Sequence, residues 1–229
     1  MNTLPFIDIH THHTHNEKET VKVVNLFPGN NIPAFTGKNF FSVGLHPWKL
    51  KSKEENNSML QLVEEALEFD HVIFAGECGL DKISGPDFDE QKRTFLAQAL
   101  MAEEHQKPLI IHCVRAYNEI LELYNNHHPS VPWILHGYTG SRELSEQLSK
   151  NQLYFSFGKV LFKEHARAID SFKALPLEKI FLETDEFKGA VKEIYGKAAE
   201  IKNISVDALK HAVWNNFNRL ENVSLENIK

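Results

Sequence analysis

Histidine and acidic residues recur at the ends of short apolar segments in this 229-residue chain. The chain contains 13 histidines, and five of them lie within the first 46 residues. Imidazole is the commonest metal ligand among protein side chains. The pair in His10-Thr11-His12 is informative, because residues two apart on a strand point to the same face and two such imidazoles suit a divalent transition metal. These residue types predict a metal site.

Eight short apolar segments predict the strands that would carry these residues. Several of them, such as Val72–Ala75 and Leu109–Ile111, are apolar on both faces, as are strands buried in a parallel sheet. The predicted strands are Phe6–His12, Val21–Phe27, Phe40–His46, Val72–Glu77, Leu109–Val114, Trp133–His136, Leu153–Phe157 and Ile180–Asp185.

Seven amphipathic helices are predicted from apolar residues spaced three and four apart. Asp87 opens one of them, whose core-facing residues are predicted to be Phe95, Leu96, Ala99 and Leu100. Residues 13–20 and 28–39 are too short and too rich in Pro, Gly and Asn for full helices. Strands alternating with helices predict an α/β fold. Eight strands predict a slightly reduced (β/α)8 TIM barrel, with the first one or two helices missing or shortened.

The polar residues that end the predicted strands should lie close together, because active sites of such barrels form at the carboxyl ends of the strands. Separate strands end at or near His46, Glu77, His112, His136 and Asp185. On the first strand, Asp8 is expected to lie below His10 and His12 on the same face. Burying such groups without partners costs roughly 1–3 kcal/mol or more each, so a chemical role is favoured over a packing role.

Cys78 and Cys113 each follow one of these polar residues directly. If Glu77 and His112 face the barrel interior, strand alternation turns both cysteines outward, beneath the helices. Both are therefore predicted to be free, buried packing residues. If the two strands are in register at this level, the cysteines lie opposite each other, about 4.5–5.5 Å apart at Cβ.

Seven motifs in order along the chain resemble those of TatD-type metal-dependent hydrolases. This family, the TatD DNases, is a TIM-barrel family of the amidohydrolase-like superfamily, and many characterised members are DNases. The motifs are Asp8-x-His10-x-His12, Gly44-Leu45-His46-Pro47, Gly76-Glu77-x-Gly79-Leu80-Asp81, Pro108-Leu109-Ile110-Ile111-His112-x-x-Arg115-Ala116, His136-x-x-Thr139-Gly140-Ser141, Glu183-Thr184-Asp185 and Asn216-Phe217-x-Arg219-Leu220. They cover most of the chain.

The resemblance implies a site with two divalent metal ions, which could be Zn, Mg or Mn. One ion would be held by His10, His12, Glu77 and Asp185. Glu77 would bridge to a second ion held by His112 and His136. Two such ions activate water and stabilise charge on the attacked and leaving oxygens.

Further roles follow from position along the chain. Asp185, at the end of the last predicted strand, is expected to accept the proton of the attacking water as well as to bind metal. Glu77 and Asp185 are therefore the predicted catalytic residues. Glu183, two residues before Asp185, and Asp8 are expected to orient the ligands.

Three residues are predicted to contact substrate: Arg115, His46 and Lys159. Arg115 suits phosphate, although a salt bridge to a neighbouring loop is an equal alternative. His46 as a metal ligand is disfavoured. The sequence also departs from the family, since Lys82-Ile83-Ser84 replaces the usual aromatic residues and Glu186-Phe187-Lys188-Gly189 runs directly into a helix. We expect a shortened substrate rim.

Composition sets the remaining limits. The net charge is −6, which argues against a protein that coats nucleic acid nonspecifically. No segment of 18 consecutive apolar residues and no signal peptide is visible, and two cysteines indicate a reducing compartment, so one cytoplasmic domain over residues 1–229 is expected. The predicted partner is a phosphoester substrate, such as DNA ends, with no membrane and no obligate protein partner.

The function class most favoured by the residues is a two-metal phosphodiesterase or deoxyribonuclease. A phosphatase or other small-ester hydrolase explains the Asp-x-His-x-His opening but not the later Gly-Leu-His-Pro and His-x-x-Thr-Gly-Ser motifs. A metal-binding scaffold with weak catalysis is the third alternative, which the full set of candidate ligands disfavours.

Overall fold

The computed structural model describes residues 4–15, 17–34 and 39–221. Its strands are β1 Phe6–Thr11, β2 Thr20–Leu26, β3 Asn39–Val43, β4 Val72–Asp81, β5 Leu109–Val114, β6 Trp133–Leu135, β7 Leu153–Phe157 and β8 Ile180–Leu182. Its helices are α1 Lys53–Leu67, α2 Phe88–Glu104, α3 Tyr117–His127, α4 Arg142–Leu148, α5 Arg167–Ala174, α6 Val191–Lys202 and α7 Val206–Glu221. Short 3-10 helices span Pro47–Lys49, Lys159–Phe162 and Leu177–Lys179.

The eight strands form one sheet in the order β1 to β8. Together with the helices that follow β3 to β8, this order defines an α/β barrel of the TIM type, as predicted. In the described parts of residues 13–20 and 28–39 no helix forms, which agrees with the shortened first two units. Among the residues described, no helix combines the length and the apolar character needed to cross a membrane.

All eight predicted strands occur, but several of them end at a different residue from the one predicted. β1, β3, β6 and β8 end before the polar residue predicted to close them, so His12, His46, His136 and Asp185 lie in the following loops. β4 instead continues for four residues past Glu77, to Asp81. Apolar patterning marks the buried middle of a strand, whereas its end is decided by loop hydrogen bonds that the pattern does not report.

The chain divides into two compact units. The first contains the described residues within 1–24, 35–40 and 136–229. In it β1 pairs in parallel with β2, and β7 with β8. The Tyr195 hydroxyl of α6 donates to the Ile7 carbonyl at 3.0 Å, so α6 is bonded to β1. A single domain over residues 1–229 stays a prediction.

The second unit contains the described residues within 25–34 and 41–135. In it β3, β4, β5 and β6 pair in parallel. α2 packs on β4 through a face that is partly polar, with Gln98 and Phe95 both buried. The prediction that Leu100 faces the core is wrong, because this side chain is 47% exposed.

Two buried glutamines of α2 explain this polar face. Gln98 accepts a hydrogen bond from Leu45 N at 2.6 Å and donates one to Leu45 O at 3.2 Å. Gln91 binds Asp81 in the same way, accepting from its N at 2.8 Å and donating to its O at 3.1 Å. α2 therefore holds the backbone directly before His46 and the carboxyl end of β4. The buried backbone N–H and C=O groups of Leu45 and Asp81 need hydrogen-bond partners. The buried face of α2 therefore carries glutamines where apolar side chains would otherwise pack.

Both cysteines are free and buried, as predicted. Their predicted alignment is wrong, because Cys78 pairs with Ile111 and Cys113 with Leu80. The register of β4 and β5 shifts between Ala75 and Cys78, so the two strands are offset by two residues at this level. Strand alternation alone cannot reveal such an irregularity.

Thiol reactivity tests this burial. Burial raises the pKa of Cys113 to about 12 and raises that of Cys78 further above its usual value. Because the thiolate is the reactive form, we expect both to react with a thiol reagent at pH 8 on the order of a thousandfold more slowly in the native protein than in denaturant. Labelling kinetics in the two conditions measure the ratio. Rapid native labelling of either cysteine would contradict the structure.

Candidate metal centre

Glu77 is the centre of a ligand cluster in the second unit. Its side chain is buried, and its Oε1 lies 3.1 Å from His46 Nε2 and 3.0 Å from His112 Nδ1. The backbone N of Glu77 donates to Asn25 Oδ1 at 2.9 Å, and Ser42 Oγ donates to the same oxygen at 3.0 Å. One ligand atom each from His46, Glu77 and His112 lies within 4.8 Å of the others. The sequence-predicted residues of this unit thus meet.

The hydrogen bonds of His46 assign it a role other than ligand. Its Nδ1 accepts the backbone N–H of Trp48 at 3.1 Å. An imidazole whose Nδ1 accepts carries its proton on Nε2, which therefore donates toward Glu77 Oε1. A metal ligand would need the opposite arrangement, with a lone pair on Nε2. This agrees with the sequence-based view that His46 is disfavoured as a metal ligand, and its contact with substrate stays a prediction.

Asp81 belongs to the same cluster, although the sequence reasoning assigned it no role. Its Oδ2 accepts the Trp48 indole N–H at 2.7 Å and lies 3.4 Å from His112 Nε2. Its Oδ1 accepts Ile83 N at 2.7 Å and Ser84 N at 2.9 Å. Burial would raise the pKa of Asp81, but these hydrogen bonds outweigh it and hold that pKa below its usual value. Gly79-Leu80-Asp81, as part of a recognised motif, was the available signal.

The Asp81 carboxylate lies where it could orient the His112 imidazole. When His112 donates its Nε2–H to the Asp81 carboxylate, its Nδ1 keeps the lone pair that faces Glu77. A carboxylate that accepts the second ring N–H is the usual partner of a metal-binding histidine, since it fixes the tautomer and makes the ligand more basic.

The first unit brings together a second set of candidate ligands. His10 is fully buried, and its ring lies 5.3 Å from that of His12 and 4.4 Å from that of His136, centroid to centroid. His12 Nε2 lies 3.7 Å from Asp185 Oδ1. The backbone of Asp185 donates to His10 O at 3.0 Å and accepts from His12 N at 3.4 Å. β1 therefore holds the loop that carries Asp185.

Glu183 contacts His136 in the way that Asp81 contacts His112. Glu183 is 1% exposed, and its Oε1 accepts Gly137 N at 2.7 Å and lies 3.4 Å from His136 Nδ1. A donating Nδ1–H leaves His136 Nε2 with the lone pair for a metal. This geometry matches the orienting role expected for Glu183.

Asp8 contacts a different partner from the one expected. Its carboxylate accepts Thr184 N at 2.8 Å and Thr184 Oγ1 at 2.7 Å, rather than orienting an imidazole. Burial raises the pKa of Asp8 to about 7, while the Thr184 hydrogen bonds and the charge of Lys22 act in the opposite direction. Asp8 thus holds the segment between Glu183 and Asp185, and it acts on the site through the backbone.

The two basic candidates differ in their surroundings. Lys159 Nζ lies 3.3 Å from Asp185 Oδ2, so it is an ion-pair partner of a candidate ligand. Arg115 is exposed, and within the described part of the chain its guanidinium forms no ion pair. The alternative in which Arg115 bridges to a neighbouring loop therefore has no support among these residues.

The chemistry of both sets fits a divalent cation. Each unit combines imidazole nitrogens with buried carboxylate oxygens, and Zn²⁺ and Mn²⁺ accept such mixed ligands. Buried carboxylates also need a positive partner, because an isolated buried charge costs several kcal/mol. The donor atoms present are therefore those that a bound metal would use.

The chain is similar to known metal-dependent hydrolases. The metal-dependent hydrolase YabD of Bacillus subtilis is 27% identical over 197 residues, spanning 79% of this chain and 76% of that protein. The 3'-5' ssDNA/RNA exonuclease TatD of Salmonella typhimurium is 32% identical over 153 residues, spanning 63% of this chain and 56% of that protein. The crystal structure of YjjV, a TatD homologue from Escherichia coli K12, matches with a TM-score of 0.81 at 22% identity, covering 96% and 98% of the two chains.

An α/β barrel that carries candidate imidazole and carboxylate ligands is typical of metal-dependent hydrolases. A family model described as TatD related DNase matches residues 31–222. The chain belongs to this TatD family, and the resemblance found in the sequence is confirmed.

Replacing Asp81 tests its orienting role. In Asp81→Asn, the amide has only one acceptor oxygen, so it cannot serve both the Trp48 indole and His112 on one side and the backbone N–H groups of Ile83 and Ser84 on the other. We expect metal affinity to fall about 10- to 100-fold, the usual cost of losing such a partner. Equilibrium dialysis with Zn²⁺ or Mn²⁺ measures the change, and Asp70→Asn, an exposed aspartate after α1, is the control. Unchanged affinity in a folded Asp81→Asn protein would rule the role out.

Proposed function

We propose that this protein is a two-metal phosphodiesterase that cleaves single-stranded nucleic acid from its ends. The observation that carries the proposal is the pair of buried carboxylate–imidazole contacts, Asp81 with His112 and Glu183 with His136. Such contacts prepare imidazoles for metal, and a packing role does not require them. Membership of the TatD family supports the same reading.

The proposed ligand assignment follows the family pattern. His10, His12, Glu77 and Asp185 would hold one ion, and Glu77 would also serve a second ion held by His112 and His136. The assignment is supported by the order of the motifs and by the general position of such sites at the carboxyl ends of barrel strands. When bound, the two ions supply an activated water and positive charge for the phosphate oxygens.

The side chains supply proton transfer and substrate contacts. Asp185 accepts the proton of the attacking water at its carboxylate. Its contact with Lys159 Nζ, at 3.3 Å, favours the ionised form that this role needs. The exposed Arg115 binds phosphate in a bidentate manner. His46, whose Nε2–H is directed at Glu77 Oε1, lines the substrate pocket beside that carboxylate.

Nucleic acid is the proposed substrate because the relative from Salmonella typhimurium is named a 3'-5' ssDNA/RNA exonuclease. The net charge of −6 restricts phosphate binding to local groups. Two cationic side chains, Arg115 and Lys159, are candidates. With so few phosphate contacts, a long polymer is held weakly and its end is the favoured position.

Substitution of the two acidic ligands separates their roles. Glu77→Gln should weaken binding of both ions, since one carboxylate serves two. Asp185→Asn should keep at least the second ion but lower hydrolysis on the order of 10²- to 10⁴-fold, because the proton acceptor is lost. Asn is the suitable replacement, since Asp185 has a φ of 50° and asparagine tolerates this region.

Elemental analysis and hydrolysis of bis-p-nitrophenyl phosphate measure these two effects, with Glu64→Gln on the exposed face of α1 as the control. Full occupancy by two ions in Glu77→Gln would rule out the bridging role. Unchanged turnover in Asp185→Asn would rule out the proton-acceptor role.

A substrate panel tests the reaction class. We expect metal-dependent cleavage of bis-p-nitrophenyl phosphate, slower cleavage of p-nitrophenyl phosphate, and weak action on single-stranded DNA. Two phosphate contacts predict that affinity for DNA falls about sevenfold between 50 and 200 mM salt. Rates with Mg²⁺, Mn²⁺ and Zn²⁺ are compared across the panel. A preference for the monoester would indicate a phosphatase, and metal binding without turnover would indicate a scaffold.

A further inference from the structure

Two phenylalanines stack on each other next to the loop that carries Asp185. Phe162 ends the 3-10 helix that follows β7, and Phe187 lies two residues after Asp185. Their ring centroids are 5.4 Å apart and the ring planes differ by 15°. Phe162 is 43% exposed, so the pair, here called the Phe162–Phe187 stack, keeps aromatic surface accessible to solvent.

The same two segments carry a cation and the proposed proton acceptor. Lys159 begins the short helix that Phe162 ends, and its Nζ lies 3.3 Å from Asp185 Oδ2 while half of its side chain is exposed. Consecutive Cα atoms are 3.8 Å apart, so the Cα atoms of Phe187 and Asp185 lie within about 7.6 Å. A flat aromatic surface and a positive charge thus adjoin one carboxylate.

The backbone and a glycine hold Phe187 in place. Phe187 N donates to Thr184 O at 2.7 Å, and Phe187 O accepts from His13 Nε2 at 3.1 Å. A Cβ at Gly189 would lie 2.5 Å from Phe187 Cε1, so the absence of a side chain at this position makes room for the ring. A ring held in this way loses little conformational entropy when a ligand stacks on the pair.

We infer that the Phe162–Phe187 stack is a nucleobase subsite, in which the base of the substrate's terminal nucleotide lies on the exposed ring of Phe162. The inference rests on the proposed function, because a nucleotide joins a flat base to the phosphate that Lys159 and the metal ligands attract. Aromatic side chains beside cationic ones are how single-stranded nucleic acids are held without sequence preference. Stacking on these rings would supply substrate contacts that the predicted shortened rim lacks.

The test compares two oligonucleotides that differ only in one base. The first is a thymidine hexamer with 2-aminopurine at its 3' end, and the second has an abasic 3' end. Both have a phosphorothioate terminal linkage to slow hydrolysis, and the protein is used with its metal bound. Affinity is measured by anisotropy of a 5' dye, and stacking by quenching of 2-aminopurine fluorescence.

Five proteins are compared: wild type, Phe162→Ala, Phe162→Leu, Phe162→Tyr and Phe69→Ala. Leucine keeps apolar volume without a ring, and tyrosine keeps the ring. Phe69, which is 48% exposed after α1, controls for loss of any exposed phenylalanine. Thermal unfolding confirms that each variant is folded.

In the wild type, we expect the base-bearing strand to bind roughly 5- to 150-fold more tightly than the abasic one, the usual contribution of one stacked base. Phe162→Ala and Phe162→Leu should remove this difference and the quenching, without weakening abasic binding. Phe162→Tyr and Phe69→Ala should keep both. Equal binding of the two strands by wild type, or an unchanged preference in Phe162→Leu, would overturn the inference.

A separate measurement distinguishes this inference from the proposed function. Wild-type hydrolysis of bis-p-nitrophenyl phosphate with metal reports on the reaction class alone. If hydrolysis occurs but the base makes no difference to binding, only the nucleobase subsite is wrong. If no phosphodiester is hydrolysed, the proposed function is wrong whatever the binding result.

Discussion

The need to neutralise the buried carboxylate of Glu77 governs the arrangement around it. This side chain is 4% exposed, and an unpaired charge at such a position would cost several kcal/mol. His46 and His112 both approach its Oε1, and Asn25 holds its backbone N. His46, Glu77 and His112 each place one ligand atom within 4.8 Å of the others, so a divalent cation could be held at this carboxylate.

In each unit a buried carboxylate lies against the ring of a candidate metal-binding histidine. Asp81 Oδ2 lies 3.4 Å from His112 Nε2 and Glu183 Oε1 lies 3.4 Å from His136 Nδ1, and each carboxylate accepts backbone N–H groups. These backbone bonds fix the carboxylates before any metal binds, so each imidazole is oriented by a group that is itself immobile. In the first unit, Asp8 adds a further constraint on the backbone. Its carboxylate accepts the N–H of Thr184 and so holds the residue between Glu183 and Asp185. Orientation is thus set during folding.

Sequence patterns could predict the barrel and a set of candidate ligands, because buried strands are apolar and a polar residue among them is favoured only when it has a partner or a role. Three features escaped prediction for physical reasons. Leu100 is exposed because Gln98 uses the buried face of α2 to bond Leu45. The irregular register of β4 and β5 offsets Cys78 from Cys113. Asp81 lies on an extension of β4 whose stability comes from Gln91, a helix residue ten positions away.

The shortened rim predicted from the sequence would have two opposing consequences for substrate choice. Fewer polar groups after Asp185 would weaken the grip on a polymer backbone. Phe187, two residues after Asp185, stacks its ring on Phe162 beside this loop. Phosphate contacts are screened by salt, whereas stacking on an aromatic ring is much less so. Under the proposed function, such a site would lose affinity for long strands and keep affinity for the one nucleotide that reacts, which is the balance that cleavage from an end requires.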